Sequence, residues 1–336
     1  MPSLLHQDKD GEPSRPKRRS RLRRLKRMPL LLLLVLVATS CSRARTIGLM
    51  APNAPTFAYR EMSVELPGSK PDIRIEGYYT RPSPEGKYPC AVILHGKGGW
   101  WRAYIRYARA LAGQGIASVI VNYYSGHQVD LEGLYVPFDE RRAQFEYQNG
   151  DISAAVAAFS RYPVCSGRKV GLIGFSLGAD KAFRTAATQP DIGAVVGYYG
   201  PYDYVSFIRQ RVNPILLALA GENALKWKAY LEKNSPYTQA GRVKASALLF
   251  HGVEDTTISV KQSILMQRAL ERRGGSGARM KLYEGVGHNF ALRRRGTKAE
   301  RDDSIRLTIS FLKKKLIEKK KKIVSGKRKP VARSGL

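Results

Sequence analysis

The chain of 336 residues is long enough for one large domain or two small ones with a sizeable core. Hydrophobic residues make up 43% of it and aromatic residues 9%, which excludes a chain that is disordered throughout, and the lack of any 18-residue apolar run excludes a polytopic membrane protein. Lys and Arg number 58 against 27 acidic residues. Much of this excess lies at the ends, since residues 1–40 hold 10 basic and 3 acidic side chains and residues 293–336 hold 17 and 4.

The first 40 residues have the pattern of an export signal. A basic block runs directly into about ten apolar residues, from Pro29 to Ala38, a stretch too short to cross a hydrocarbon layer of about 30 Å. Small residues then lead to Cys41, which resembles a bacterial lipoprotein processing site whose Cys becomes the lipid-bearing N-terminus. We expect lipidation of Cys41 in the cell envelope, with cleavage and secretion, or an uncleaved anchor, as the alternatives. We expect translation to start at Met1 or at Met28, and a start at Met28 would remove the basic block.

The region from 57 to 316, after a linker at 41–56, alternates short β-branched runs with amphipathic stretches. This pattern predicts a parallel sheet flanked by helices, an α/β fold. Residues 201–240 interrupt the alternation as a cap-like excursion. In chain order, the predicted strands are Tyr59–Leu66, Asp72–Arg81, Cys90–His95, Ala117–Asn122, Val170–Phe175, Ala194–Tyr199, Ala245–His251 and Arg279–Glu284, and the predicted helices are Arg102–Ala112, Ala143–Arg161, Leu177–Thr188, Val260–Arg273 and Glu300–Lys315.

Residues 317–336 form a basic tail that contains few apolar residues. Such a run predicts a solvated, disordered segment, and the functional alternative is adhesion to anionic lipid headgroups or polyanions. The chain lacks the aromatic interleaving or recognised module of nucleic-acid binding, so we expect no specific nucleic-acid partner.

The strongest chemical motif is Gly-Phe-Ser-Leu-Gly at residues 174–178. An apolar run precedes it and helical residues follow, which is the strand, sharp turn and helix that a GxSxG serine needs. Gly174 and Gly178 avoid clashes with the neighbouring strand and helix. The hydroxyl of Ser176 then stands at a helix N-terminus, whose dipole favours the negative charge that develops in acyl transfer. Ser176 is therefore the candidate nucleophile.

A serine hydroxyl is nearly inert without a base, and the chain has five histidines. His6 lies in the signal, and His95 and His251 each end a strand, where a structural hydrogen bond is expected. His127 lies in a loop, on the substrate side or on the surface. His288, in a glycine-rich loop after the last strand, lies at the same carboxyl edge of the sheet as Ser176 and is the candidate base.

The base needs a carboxylate to orient it, and the reaction needs donors for the oxyanion. Asp255 follows a strand in the same layer of loops, with Glu254 as its rival one position away. In the segment HGKGG at 95–99, glycines let backbone N–H groups point into the site, so we expect donors at Lys97 and at Leu177. The same loop suits phosphate, but neither GxGxxG nor GxxxxGK[ST] occurs in the chain.

The segments LHGKGG, GLIGFSLGA, LLFHGVEDTTI and YEGVGHNF, in this order, resemble the dienelactone hydrolase family of α/β-hydrolases, and are also similar to the catalytic domain of prolyl-oligopeptidase-like esterases and peptidases. The resemblance spans about residues 60–316. It implies a central, mostly parallel, eight-stranded sheet with helices on both faces, the α/β-hydrolase fold, and a hydrolase that needs no cofactor. True dienelactone hydrolases have Cys as nucleophile, whereas position 176 is Ser. Carboxylic ester or amide hydrolysis is therefore expected rather than hydrolysis of dienelactone itself.

Aromatic residues near the same edge suggest a pocket for an apolar acyl or aromatic group, although they would equally pack the cap. The candidate pocket residues are Trp100, Trp101, Tyr123 and Tyr199.

With Cys41 assigned to processing, Cys90 and Cys165 remain, each just before a strand. The resemblance makes these strands neighbours, so a disulfide is expected in an exported protein. No Cys/His cluster has metal-ligand spacing, and no metal cofactor is expected.

Two classes of function follow from these residues. The first is an exported serine hydrolase acting on a carboxylic ester, an amide or peptide, or a lactone, with an acyltransferase as a variant of the same chemistry. The second is a non-catalytic envelope lipoprotein on a hydrolase scaffold that binds polyanions or the membrane surface.

Overall fold

The computed structural model describes residues 56–99, 102–127, 137–167, 169–210, 221–272, 278–292 and 297–317. The export signal, Cys41, most of the linker and the tail from residue 318 onward lie outside these ranges. Among the described residues, no helix is both long and apolar enough to span a bilayer.

Within the described residues, eight strands form one sheet in the order β1-β2-β4-β3-β5-β6-β7-β8. The first two form an antiparallel hairpin, β2 is antiparallel to β4, and all neighbours from β4 to β8 are parallel. The predicted α/β-hydrolase fold is confirmed. The strands are β1 Tyr59–Pro67, β2 Arg74–Pro82, β3 Cys90–Leu94, β4 Ala117–Val121, β5 Val170–Phe175, β6 Ile192–Tyr198, β7 Ser246–Gly252 and β8 Ala278–Tyr283.

Helices cover both faces of the sheet. Every residue of β3, β4 and β5 is buried, as expected of strands that are apolar along their whole length. One apolar layer joins the sheet to α2, α3 and α7, and the other joins it to α1 and α8. Each fully buried Val, Leu or Ile in these layers contributes about 1.5–3 kcal/mol to folding. The helices are α1 Arg102–Gly113, α2 Phe138–Phe159, α3 Leu177–Thr188, α4 Tyr204–Arg209, α5 Gly221–Asn234, α6 Pro236–Gln239, α7 Lys261–Glu271 and α8 Lys298–Leu316.

Helix α2 begins at Phe138, five residues before its predicted start at Ala143. The early start follows Pro137 and places Asp139 and Glu140 in the first turn, where acidic side chains favour the positive end of the helix dipole. Arg141, which the predicted start at Ala143 left outside the helix, therefore lies on the first turns of α2, beside the candidate site.

The described part of the excursion at 201–240 contains α4, α5 and α6, and a 3₁₀ turn at Ala240–Arg242 follows. Asp203 caps α4, since its Oδ1 accepts the N–H of Val205 at 3.1 Å. We refer to α4 and α5 together as the cap.

The loops that follow β3, β5, β7 and β8 leave from the carboxyl ends of parallel strands and therefore meet at one edge of the sheet. In open α/β sheets this edge is where ligands bind. All the predicted catalytic side chains lie in these four loops.

Candidate active site

Ser176 occupies a sharp turn between β5 and α3. Its backbone has φ 54° and ψ −118°, a conformation that is rare for a residue with a side chain and that needs support from its surroundings. The N–H of Ser176 donates to the carbonyl of Tyr198 in the neighbouring strand at 2.9 Å, which ties the turn to the sheet. The turn thus presents the hydroxyl at the first turn of a helix.

The two glycines of the motif permit a close approach of strand, turn and helix. A Cβ atom on Gly174 would overlap the backbone of Gly178 and Ala179 on α3. A Cβ atom on Gly178 would overlap the carbonyl oxygens of Leu94 and His95 at the end of β3. Any larger residue at either position would push the helix away from the sheet.

Three side chains from distant parts of the chain form one hydrogen-bonded line. The Ser176 Oγ lies 3.0 Å from His288 Nε2, and His288 Nδ1 lies 2.7 Å from Asp255 Oδ2. A carboxylate only accepts hydrogen bonds, so Nδ1 carries the proton and Nε2 is left to accept from the serine hydroxyl. This is the tautomer that a general base next to a nucleophile requires.

Asp255 is held as an ionised carboxylate. Its Oδ1 accepts the backbone N–H groups of Thr257 and Ile258, each at 2.8 Å. Burial by itself raises the pKa of Asp255, but hydrogen bonds from His251, His288 and the N–H of Ile258 outweigh burial and hold the pKa well below its usual range. The rival Glu254 instead accepts the N–H of Gly285 at 3.1 Å, and the structure places Asp255, not Glu254, against His288.

The other described histidines have structural partners. His251 is fully buried, with Nε2 donating to the carbonyl of Ile258 at 2.8 Å and Nδ1 2.7 Å from Ser263 Oγ. His95 donates from Nδ1 to the carbonyl of Gly96 at 2.8 Å, and burial lowers the pKa of its imidazole to about 4. These contacts agree with the structural roles expected for both residues.

His127 does not reach the candidate site. Its Nδ1 lies 2.7 Å from the buried carboxylate of Asp151, which also accepts both the N–H and the hydroxyl of Ser69. The Asp151 carboxylate therefore ties both the β1–β2 turn and the loop that carries His127 to α2, and the half-buried imidazole does not line the cavity above Ser176.

The predicted oxyanion donors flank the nucleophile. Lys97 and Leu177 line the same cavity as Ser176. The N–H of Leu177 opens α3 and has no carbonyl partner within that helix. The loop that carries Lys97 is held in a turn, because Gly99 N–H donates to the carbonyl of Gly96 at 3.1 Å and Tyr124 Oη donates to the carbonyl of Lys97 at 3.0 Å.

A cavity of about 680 Å³ opens above Ser176 and His288. Its volume suits a substrate of drug-like size. The walls come from α2 and the cap, which the sequence did not identify. The side chains that matter for its chemistry are Arg141 and Phe145 on α2, Tyr204 and Phe207 on α4, and Trp227 and Leu231 on α5.

Arg141 presents two buried donor atoms to this wall, and they have no hydrogen-bonding partner among the described residues. Its Nε and Nη2 atoms are buried from solvent and make no hydrogen bond, although the guanidinium lies 5.8 Å from the ring of Trp227. Leaving buried donors unsatisfied is unfavourable, so these two atoms are available to an acceptor group in the cavity.

The prediction that Tyr123 and Tyr199 line the pocket is wrong. Both are fully buried. The Tyr123 ring stacks on His95 at 3.9 Å between centroids, and the Tyr199 ring packs edge-on against His288 at 4.7 Å. Each follows a central strand of the sheet, so Tyr123 packs against the imidazole of His95 and Tyr199 against that of His288 within the protein interior. Trp100 and Trp101 lie outside the described residues.

A disulfide bond joins Cys90 and Cys165, whose Cα atoms are 5.4 Å apart. Cys90 begins β3 and Cys165 precedes β5, so the bond lies at the edge of the sheet opposite Ser176. Within the described residues, no group of three His, Cys, Asp or Glu side chains is arranged to hold a metal ion.

The family model for the dienelactone hydrolase family matches residues 75–316, most of the chain and all of the candidate site. The chain belongs to the dienelactone hydrolase family. Membership of this hydrolase family agrees with the α/β fold and with the resemblance of the four sequence motifs.

Individual relatives of this family member are distant. It is 26% identical over 155 residues to a carboxymethylenebutenolidase homolog of Rattus norvegicus, covering 45% of this chain and 62% of that protein. It is 23% identical over 205 residues to an uncharacterized peptidase of Bacillus subtilis strain 168, and the match covers 60% of this chain and 76% of that protein. An acylaminoacyl peptidase of Pyrococcus horikoshii has the same fold, with a TM-score of 0.62 at 21% identity, covering 78% of this chain and 43% of that one. The chain thus matches less than two thirds of the rat and Pyrococcus proteins.

Proposed function

We propose that the protein is an exported serine hydrolase that cleaves a carboxylic ester through an acyl-enzyme on Ser176. The observation that carries the proposal is the continuous hydrogen-bonded line from Ser176 Oγ through His288 to Asp255. Position 176 holds Ser where true dienelactone hydrolases have Cys, and a serine hydroxyl needs the adjacent general base that this line orients.

The reaction follows from the geometry. As Ser176 Oγ attacks the carbonyl carbon, His288 Nε2 accepts its proton, and the ionised Asp255 stabilises the imidazolium that forms. The backbone N–H groups at Leu177 and Lys97 donate to the developing oxyanion. The imidazolium then protonates the leaving group as the C–O bond breaks. Water then attacks the acyl carbon as His288 takes one of its protons, and His288 returns that proton to Ser176 Oγ as the Oγ–C bond breaks and the carboxylic acid leaves. Donation of two or more hydrogen bonds to the oxyanion would contribute several kcal/mol to the barrier reduction, about 3–4 kcal/mol per donor.

The cavity supports a substrate that has both an apolar and an anionic part. Phe145, Phe207 and Trp227 supply aromatic walls, and the unpartnered donors of Arg141 suit a carboxylate on the acyl or the leaving group. Amide, peptide and lactone bonds are attacked by the same machinery. The rat relative is named as a carboxymethylenebutenolidase homolog and the bacterial relative as a peptidase, so both kinds of bond belong in the substrate panel.

Export to the cell envelope is supported by two features. A basic block followed by about ten apolar residues and Cys41 has the pattern of a lipoprotein signal. The Cys90–Cys165 disulfide suits an oxidising compartment. We propose that a lipid on Cys41 attaches the mature protein to the membrane.

The test is hydrolysis of a graded series of p-nitrophenyl esters by the purified protein. We expect turnover that is lost by at least about 10³-fold in Ser176→Ala, since removing a triad member leaves only the contribution of the oxyanion site. Ser69→Ala, which changes a serine next to a different carboxylate, is the matched control and should keep its activity. Equal hydrolysis by wild type and Ser176→Ala, with both folded, would refute the proposal.

A further inference from the structure

The edge of the sheet opposite the candidate site is strongly basic. Lys87, Lys169 and Lys244 precede β3, β5 and β7, and parallel strands start at the same edge. All three are exposed. This edge, together with the ends of the helices that return to it, is called the basal face below.

Helix ends add further cations to the basal face. The C-terminal turn of α8 lies here, because Leu316 and the side chain of Lys169 both lie against Gly193 at the start of β6. Lys314 and Lys315, in that turn, are exposed. Arg161, just after α2, lines a crevice with Val170 and Asp191 at the same edge.

These cations are not neutralised by the fold. Among the described residues, none of Lys87, Arg161, Lys169, Lys244, Lys314 and Lys315 forms an ion pair, whereas several cations elsewhere do. In the described ranges, the exposed carboxylates at this edge are Glu85, Asp191 and Glu271, half the number of the six cations named above. A net positive field therefore faces outward from the basal face.

The described chain also enters and leaves at the basal face. The N–H groups of Thr56 and Phe57 donate to the carbonyl of Gly113, at 2.7 and 3.0 Å, where α1 ends before β4. Thr56 is 15 residues from Cys41, so covalent geometry keeps the two within about 50 Å of each other. At the other end, Ile317 is 54% exposed, and residues 318–336 contain eight Lys or Arg and one Glu.

The apolar side chains at this edge distinguish a lipid surface from a polymeric anion. Ile317 follows a run of three lysines, and Tyr59, at the start of β1, is 39% exposed. Isolated apolar side chains at a cationic edge suit the boundary between headgroups and acyl chains. Single-stranded nucleic acid is instead bound on successive aromatic rings, and the described part of the basal face presents no such series.

We propose that the basal face docks on a bilayer that contains anionic lipids, and that docking leaves the cavity above Ser176 facing away from the membrane. Strands β3 to β8 span the distance between the basal face and the cavity, so a bilayer on one cannot close the other. The basal face would then orient the hydrolase toward substrates in the aqueous phase, beyond the attachment that a single lipid chain gives.

The test is sedimentation of the full chain with vesicles of phosphatidylcholine alone or with 30% phosphatidylglycerol. The basal variant carries Lys→Gln at 169, 244, 314 and 315. The control variant carries Lys→Gln at 226, 228, 233 and 298, which lie on α5 and at the other end of α8, and loses the same net charge. Each lysine near an anionic surface strengthens binding by about fivefold. The comparison between the two vesicle types removes any contribution of the apolar N-terminal segment, which binds both.

We expect the partition coefficient on anionic vesicles to fall at least about tenfold in the basal variant and less than about threefold in the control, with both variants folded by circular dichroism. Equal binding by wild type and basal variant, or an equal loss in the control, would overturn the proposal. Tighter binding to a 20-base-pair DNA duplex than to anionic vesicles at the same salt, lost in the basal variant, would assign the face to a polymeric anion instead. Sedimentation needs no turnover, so this result stands apart from the proposed ester hydrolysis.

Discussion

Replacing Asp255 by Asn tests how the carboxylate controls His288. The groups around the carboxylate are donors: two backbone N–H groups meet Oδ1, while His288 Nδ1 at 2.7 Å and His251 Nε2 at 3.3 Å meet Oδ2. An amide replaces one acceptor oxygen by an NH₂ group, which can bond His288 only if Nδ1 becomes the acceptor. The imidazole proton then moves to Nε2 and points at Ser176 Oγ, 3.0 Å away, so the base is lost.

The expected loss in kcat is about 10⁴-fold, equivalent to about 5.5 kcal/mol of barrier, since a triad with the wrong tautomer retains only its other contributions. The KM should change little, because the Asp255 side chain is fully buried and does not line the cavity. The free energy of unfolding should fall by about 1–3 kcal/mol, as expected when a buried donor loses its acceptor.

Steady-state hydrolysis of a p-nitrophenyl ester, with urea unfolding of the same preparations, measures both effects. Glu254→Gln is the matched control, because this neighbouring carboxylate accepts only the N–H of Gly285 in an exposed turn and should keep kcat within about threefold. A folded Asp255→Asn variant that keeps more than a tenth of the wild-type kcat would refute the assignment of Asp255.

Three further predictions concern packing, specificity and pH. Gly178→Ala should lower the free energy of unfolding by more than about 2 kcal/mol, because its Cβ would overlap backbone carbonyls at the end of β3. The control is Gly98→Ala, where a Cβ meets nothing within 4 Å, and urea unfolding should show almost no change in its stability. Arg141→Gln should lower kcat/KM at least about tenfold for esters that carry a carboxylate, and should change it little for neutral esters of the same shape. Arg142→Gln, whose guanidinium pairs with Asp139 and Glu146, is the control. Equal losses on both kinds of ester would contradict the role of Arg141 in binding a substrate carboxylate. Burial lowers the pKa of Lys181 to about 7. Between pH 7 and about 10 the amine is therefore neutral in the folded protein and protonated in the unfolded chain, so the free energy of unfolding rises with pH, by at most about 1.4 kcal/mol per pH unit. Lys181→Met should flatten that rise, and an unchanged slope in urea unfolding at pH 7, 8.5 and 10 would show that the buried amine is not its source.

The sheet and the catalytic loops were predictable because local patterns specify them. Strand β5 and helix α3 have the predicted bounds, since an apolar run, a GxSxG turn and a helix follow one another without ambiguity. Asp255 and His288 were found because the loops after parallel strands share one edge, which places distant residues together without any knowledge of side-chain contacts.

The start of α2 and the cavity walls were not predictable from the same patterns. The buried face of α2 includes Gln148 and Asp151, so its apolar stripe is interrupted and its first turns resemble a surface segment. Which aromatic side chains reach the cavity depends on how the cap packs on the sheet. Trp227 and Phe145 pack against each other with ring centroids 5.9 Å apart although they are distant in sequence, and no local signal in the sequence distinguishes them from the buried Tyr123 and Tyr199.

The most direct test of the proposed chemistry is the mass of the intact protein after reaction with a fluorophosphonate, followed by peptide mapping. The hydrogen-bonded line at Ser176 predicts a single stoichiometric adduct on the peptide that contains Ser176, absent in Ser176→Ala and strongly slowed in His288→Ala. A folded protein that gains no adduct, or that is labelled on another residue at the same rate in the Ser176→Ala variant, would contradict a serine-nucleophile hydrolase.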